Sequence, residues 1–274
     1  SVFGGVAYSL TPHVFGLINA GHNTKIMAFA FVPWIFFSAS YLFQEKSIKS
    51  ILLLSIISAF QLWVNHPQVV YYTWMYIFGY WLYSFIEKSI KDKKIASLKI
   101  LFFLLISISM TTLMVSDPYL DIFTFQSHSN RGASSVLDDT KETSSGTKWN
   151  YATQWSFHPA ETISYLFPYH FGLQNFSVKN RTNPLEFMKQ ASYWGYMPFT
   201  QSTHYMGLLV LLLPLISLVS RIRKKNFSSY ENFLWIISLI FLIVGFGKHF
   251  PLLYQLLFDY APFFSKFRIP SMIY

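Results

Sequence analysis

The sequence predicts an all-α polytopic membrane protein, and three observations carry that prediction. The first is composition: 53% of the residues are apolar, 20% aromatic and only 12% charged, about half the charged share of a soluble domain. The second is a series of apolar runs at 26–43, 51–64, 69–86, 100–115, 205–219 and 233–246. Several reach the roughly 20 residues that cross a bilayer core only when flanking Tyr, Trp and Ser are counted. The third is the sorting of basic residues between those runs. Lys46 and Lys49, then Lys88, Lys91, Lys93, Lys94 and Lys99, then Arg221, Arg223, Lys224 and Lys225 fill alternate gaps, while the other gaps hold His, Asn, Trp and acids. Short cytoplasmic loops retain Lys and Arg, so the alternation orients the chain with its polar chemistry outside.

Placing the basic gaps inside fixes the path. A first helix ending near Ile18 runs outward, and 22–25 forms an outer turn. The next helix descends to 44–50, another rises to 65–68, and a further pair descends to 87–99 and rises to Ser116. A long extracytoplasmic loop, 116–204, follows; the chain then descends to 221–225 and rises to Gly247. The result is one transmembrane domain, 1–274, with about seven membrane helices. Within the long loop, 126–148 is rich in Ser, Thr, Gly, Asp and Asn and reads as a flexible tip. From 149 to 204 the Trp, Tyr, Phe, Pro and His content suits short helices lying at the interface. The stretch 251–264 is apolar but interrupted by Asp259 and Pro262, which predicts an interfacial or re-entrant piece. Because the chain opens and closes within apolar stretches, it is expected to be an internal fragment of a longer protein.

Composition also removes function classes. The net charge of +9 might suggest nucleic acid, but about half of the basic residues lie in the three basic gaps, where membrane topology accounts for them, so nucleic acid is not an expected partner. The chain has no cysteine, which removes disulfides, thiolate metal sites and a cysteine nucleophile. No Walker loop, dinucleotide fingerprint, zinc-protease helix or serine elbow is present. The scattered histidines lack a metal-ligand spacing, so no metal site is expected.

The candidate chemistry lies on the outer side. His13, His22, His66, His128, His158, His170, His204 and His249 all fall there or in the outer half of a helix. Three descending helices open with similar punctuation: Gly21-His22-Asn23-Thr24-Lys25, Asn65-His66-Pro67-Gln68 and Thr200-Gln201-Ser202-Thr203-His204. Asn, Ser and Thr are N-cap formers, and Pro67 suits a first turn. A helix N-terminus carries free N–H groups and about half a positive charge, so with Lys25 and the histidines these ends can line an anion site; helix capping alone also explains each of them.

Gln68, Tyr71 and Tyr72 share a helical face just below the outer surface, where they face a cavity or, for the tyrosines, anchor the interface. Asp117 and Asp121 share a face if their helix continues, whereas Asp138, Asp139 and Glu142 belong to the solvated tip. Glu161 follows Trp155-Ser156-Phe157-His158-Pro159 as a first-turn acid would; it either caps a helix or turns a carboxylate toward a cavity. Arg268, set between aromatics, either grips a lipid-linked phosphate or snorkels to headgroups.

Taken together, Ala20-Gly21-His22-Asn23-Thr24-Lys25, Asn65-His66-Pro67-Gln68 with Tyr71-Tyr72, Ala152-Thr153-Gln154-Trp155-Ser156 with Glu161, Tyr193-Trp194-Gly195 with Pro198-Phe199-Thr200, and Phe267-Arg268 with Ser271-Met272 resemble the bacterial YfhO-like membrane proteins. Order and spacing match along nearly the whole chain. That family is placed in the GT-C superfamily of glycosyltransferases. The resemblance implies a GT-C-type helical bundle in the cytoplasmic membrane. Its enzyme takes a sugar from a polyprenyl-phosphate carrier, the lipid-linked donor, and passes it to a cell-envelope polymer or glycan acceptor on the extracytoplasmic side. No further cofactor is implied.

In the superfamily the long outer loop follows the seventh helix. The opening helix here would then be the third, with two helices and the first outer loop missing. That loop usually carries the catalytic aspartate, so the base is expected outside the chain, with Glu161 as an internal possibility. The resemblance implies donor-phosphate or acceptor binding by His22, Lys25, His66, Gln68, Tyr72, Glu161 and Arg268. Pro67 after His66 departs from the family pattern. Two other classes remain: a transporter or flippase for lipid-linked sugars, which calls for inverted repeats or interrupted helices, and a noncatalytic membrane scaffold.

Overall fold

The computed structural model describes residues 2–93, 97–126, 149–173, 176–179, 187–190, 192–198, 200, 203–224 and 228–274. His128, Asp138, Asp139, Glu142 and the polar tip expected beyond Gln126 lie outside the described residues.

The helical class is observed. Helices α1 (Val2–Ser9), α2 (Pro12–Asn19), α3 (Asn23–Glu45), α4 (Ile48–Trp63), α5 (Pro67–Asp92), α6 (Lys99–Met114) and α7 (Ser116–Gln126) precede the long loop. That loop holds the single turn α8 (Trp149–Ala152), a 3-10 helix at Pro159–Tyr165 and, unforeseen from sequence, a two-stranded ribbon. In it β1 (Phe176–Lys179) pairs antiparallel with β2 (Phe187–Gln190), Phe176 opposite Gln190. Then come α9 (Leu208–Lys224), α10 (Ser229–Gly245), α11 (Pro251–Tyr260) and 3-10 turns at Phe264–Lys266 and Pro270–Ile273.

Prolines explain where several helices break. The expected first helix divides into α1 and α2 because Thr11, before Pro12, is extended at φ −65° and ψ 142°, as a following proline ring demands. Pro118 has no N–H for the carbonyl of Met114, the last residue of α6. The chain resumes as α7 at 77° to α6. Pro33 instead sits inside an unbroken α3. It frees the carbonyl of Phe29, which accepts a hydrogen bond from the Tyr8 hydroxyl at 2.8 Å and so ties α1 to α3.

The capping expectations need correction. The N-caps of α3 and α5 are His22 and His66, and neither side chain caps its helix. Pro67 does occupy the first turn of α5. The third expected start is displaced, since α9 begins at Leu208, beyond His204. On the opposite end, Ser47 and Ser50 form a reciprocal capping box at the start of α4.

Helices α3 to α6 form the bundle, with Ile35, Leu42, Leu54, Trp74, Ile77 and Leu104 at its centre. Buried Ala28, Ser38, Ala39, Ser55, Ser58 and Ala59 keep α3 and α4 close, because small side chains let helix backbones approach. Two polar ties cross the bundle. Gln61 donates from Nε2 to the Ala28 carbonyl at 3.0 Å and to Thr73 Oγ1 at 3.3 Å, and Thr111 donates to the Ser55 carbonyl at 3.2 Å. A second core, including Val69, Tyr72, Val244, Tyr254, Phe264 and Phe267, joins the starts of α3 and α5 to the end of α10, α11 and the C-terminal turns. The far end of α10 is tied down where Ser229 hydrogen-bonds Glu87 and Glu231 pairs with Arg221.

Much of the apolar surface faces outward. Helix α9 has no buried residue, and Leu209, Ile216, Leu239, Trp34, Phe37 and Leu113 are all exposed. Only α3 is by itself long and apolar enough to cross a membrane, and the bent pair α6–α7 makes a second candidate, among the described residues. Helices α4 and α10 are apolar but shorter.

Candidate functional site

The start of α5, the 151–161 segment and the chain after α11 converge on Arg268. Its guanidinium is sandwiched 4.1 Å from the Tyr151 ring and 4.7 Å from the Trp155 ring, an arrangement in which ring quadrupoles offset the cost of partly burying a cation. Nη1 donates to the Tyr151 hydroxyl at 3.0 Å and Nη2 to Gln154 Oε1, while Nε is buried with no hydrogen-bond partner. The Arg268 carbonyl accepts from Gln68 Nε2 at 2.7 Å, and the same amide donates to the Tyr72 hydroxyl at 2.9 Å. Gln68 and Tyr72 therefore position the arginine's backbone. Tyr71 packs its ring against Phe267, with centroids 5.1 Å apart.

The backbone here is strained. Trp155 has φ +56° and Ile269 has φ +66°, a conformation that is an outlier for a β-branched residue. Strain of this kind costs about 1–3 kcal/mol and persists where surrounding structure enforces it. The enforcing bonds include Ile269 N–H to the Ala152 carbonyl at 3.2 Å. Gly247 supplies a close approach: at φ +49°, its missing Cβ leaves room for the Ser156 hydroxyl, which accepts from Lys248 N–H at 3.1 Å.

Lys25 forms a second cationic centre. It is only 8% exposed and makes no ion pair among the described residues; its ammonium lies 5.9 Å from the Phe29 ring. The rings of His13 and His204 stack with centroids 5.9 Å apart. Both feel the Lys25 charge. Burial, with Lys25 adding to it, pushes His204 down to about 4. His204 is thus neutral at pH 7, and Lys25 supplies the charge. His204 also packs on Phe157, with centroids 4.8 Å apart, and lines a narrow pocket with Glu161, Ser164, Tyr193, Thr200 and Thr203.

Glu161, 2% exposed, turns its carboxylate toward that pocket. Oε1 accepts from the Tyr193 hydroxyl at 2.9 Å and from Tyr196 N–H at 2.7 Å, and the Tyr193 oxygen accepts from Met197 N–H at 2.9 Å. Burial and the adjacent carboxylate hold the Tyr193 phenol protonated, against the weaker opposing pull of the Met197 bond. Glu161 thereby anchors the 193–197 loop. Beside it, His158 stacks on Tyr196 with centroids 3.7 Å apart and meets His249 at 4.7 Å. Burial, His158 and Lys248 depress the His249 imidazole.

The structure brings Gln68, Tyr72 and Arg268 into one cluster and sets Lys25 and Glu161 around His204. His22 is exposed and joins neither, and His66 is half-buried at the start of α5. Asp117 and Asp121 share helix α7 but are exposed. Sequence reasoning named His13 and His204 among the outer histidines that with Lys25 could line an anion site, and Gln154 and Trp155 within a family-like segment, but it did not name Tyr151 or give Arg268 any of its partners. Their signal was aromatic and histidine content on the outer side, which assigns no partners. Among the described residues, no three His, Asp or Glu side chains converge as metal ligands. The chemistry on offer includes two cations, an arginine held against the Tyr151 and Trp155 rings and a buried lysine 5.9 Å from the Phe29 ring, together with the buried Glu161 carboxylate.

No protein-family model matches the chain, and neither the curated proteins nor the solved structures give a significant match.

Proposed function

We propose that the chain belongs to a polytopic glycosyltransferase of the cytoplasmic membrane, of GT-C type, that moves a sugar from a polyprenyl-phosphate carrier to a cell-envelope acceptor on the extracytoplasmic side. The observation that carries this reading is Lys25, a buried cation with no ion pair among the described residues. Such a charge calls for an anionic ligand, and a lipid-linked phosphate provides one. Outward-facing apolar surface on α3, α9 and α10 supports a lipid environment, because soluble monomers rarely expose large contiguous apolar patches. Basic residues at one end and the histidines and Arg268 at the other support the orientation.

In the reaction, the acceptor oxygen attacks the anomeric carbon as the bond to the carrier phosphate breaks. The hydroxyl proton passes to a base, and the carrier leaves as its phosphate. Lys25 and Arg268 are suited to stabilising that leaving charge. Glu161 is a weaker choice of base, since one carboxylate oxygen already accepts two hydrogen bonds. The base implied by the family resemblance belongs to the first outer loop.

The test is transfer of labelled sugar from a polyprenyl-phosphate donor by the purified protein, with any sequence that flanks these residues included. Transfer that falls with Lys25→Met supports the proposal. Donor binding without transfer across a range of acceptors supports a lipid-linked sugar transporter or a scaffold instead. Orientation is tested separately in the cysteine-free chain: Asp121→Cys should react with an impermeant thiol reagent from outside and Lys49→Cys should not.

A further inference from the structure

At the opposite end of the bundle lies a pocket that the glycosyl-transfer reading does not use. Its volume is about 120 Å3, and three separate elements supply lysines to it: Lys46 from the end of α3, Lys88 from α5 and Lys99 from the start of α6. Its walls are aromatic, from Phe43, Trp81 and Phe85. None of the three lysines forms an ion pair among the described residues. Two acids adjoin these lysines in sequence, Glu45 beside Lys46 and Glu87 beside Lys88; Glu45 is exposed and forms no ion pair among the described residues, and Glu87 is already occupied by Lys91 at 2.7 Å and by the Ser229 hydroxyl. Lys46 is held at the mouth by its backbone, which takes the left-handed conformation at φ +50° and donates to the Leu42 carbonyl.

We infer that this pocket binds the phosphate headgroup of an anionic glycerophospholipid from the inner leaflet. The combination selects the ligand class. Three exposed lysines whose side chains line one opening favour an anion, although the Lys99 ammonium rests 5.4 Å from the Phe103 ring and must swing from it to reach a ligand, while apolar walls favour a ligand that carries hydrocarbon beyond its phosphate. A free phosphate ion would satisfy the rim and leave the aromatic walls without use; a zwitterionic lipid offers the same phosphate but brings its own cation beside the lysines, which offsets part of the attraction. General attraction of basic loops to an anionic membrane needs no pocket, whereas here three elements surround one. The inference rests on the membrane reading above, and bound lipid would bridge α3, α5 and α6 where the described residues leave a gap.

The experiment is native mass spectrometry of the detergent-purified protein titrated with phosphatidylglycerol and with phosphatidylcholine. The expected result is preferential retention of phosphatidylglycerol. Diffuse attraction to an anionic surface gives each lysine roughly fivefold and direct contact with a phosphate gives more, so Lys46→Gln, Lys88→Gln and Lys99→Gln together should reduce the preference by more than roughly 100-fold and by clearly more than the control below. Ser97→Glu, an exposed change at the pocket lining, should weaken it without touching the core. The control removes the same charge elsewhere at that end: Lys49→Gln, Arg223→Gln and Lys224→Gln. Equal loss in the control overturns the inference in favour of diffuse attraction. Displacement of the lipid by millimolar inorganic phosphate overturns it in favour of a free-anion site. A protein that stays in solution without detergent or lipid removes the membrane premise itself, a failure distinct from loss of pocket specificity.

Discussion

Replacing Lys25 with methionine separates a ligand-binding lysine from a structural one, because the two roles predict opposite effects on stability. The ammonium is 8% exposed and forms no ion pair among the described residues, so the unliganded fold carries a desolvated charge with only the Phe29 ring nearby at 5.9 Å. Methionine has similar length, suits a helix and removes that charge. Relief of the burial penalty should stabilise the unliganded protein by about 1–2 kcal/mol. Binding should move the other way. At an effective dielectric of about 20, an ammonium about 4 Å from a singly charged phosphate oxygen interacts by about 4 kcal/mol. Desolvation returns part of this, leaving about 2–3 kcal/mol, or a roughly 30- to 150-fold loss of donor affinity. The assays are competition binding of a labelled polyprenyl-phosphate sugar and thermal unfolding in the same detergent. A variant with unchanged donor affinity, or one that loses affinity and stability together, refutes the assignment.

Other substitutions test the remaining parts of the site. Glu161→Gln keeps a carbonyl oxygen for Tyr193 and Tyr196 and should retain transfer, whereas Glu161→Ala strands two donors and should lower stability by about 2–4 kcal/mol. Loss of transfer in Glu161→Gln with unchanged melting would make Glu161 the base. Arg268→Lys keeps the charge but gives up the guanidinium's contact with the Tyr151 and Trp155 rings and the paired donation to Tyr151 and Gln154. It should cost about 1–2 kcal/mol in melting and lower donor affinity; wild-type values for both would show the ring contact to be incidental. For His204, burial holds the folded pKa near 4 against an ordinary 6.5. The unfolded state therefore binds the proton first, and stability present above pH 6.5 is lost as pH falls toward 4. Because part of His204 reaches solvent, the loss attributable to it is about 2 kcal/mol rather than the full linkage value. His204→Gln should flatten that part of the melting-versus-pH curve, and an unchanged slope would remove His204 from the account.

What was legible in the sequence follows from which forces act locally. The helices of the bundle were readable because apolar runs and the basic gaps between them are contiguous along the chain. Pro67 was readable as a first-turn residue because its missing N–H costs nothing there. The end of α6 was readable to within two residues, since the expected span rises to Ser116 and the helix stops at Met114, whereas its resumption as α7 at 77° was not legible, because the apolar pattern does not carry past Val115. Pro33 shows the limit from the other side. Its sequence environment resembles that of a breaker, yet α3 continues and the freed Phe29 carbonyl finds the Tyr8 hydroxyl, a partner 21 positions away. The site divides along the same line. Gln68 and Tyr72, one helical turn apart, could be paired from periodicity. The meeting of Gln68 with the Arg268 carbonyl spans 200 positions and depends on the C-terminal turns folding back over α5. That long-range closure decides the chemistry: it fixes Arg268 by its backbone at a strained corner and leaves the guanidinium held by the flat faces of Tyr151 and Trp155. A phosphate approaching that corner meets a preset cation instead of a mobile one, so its binding loses little side-chain entropy.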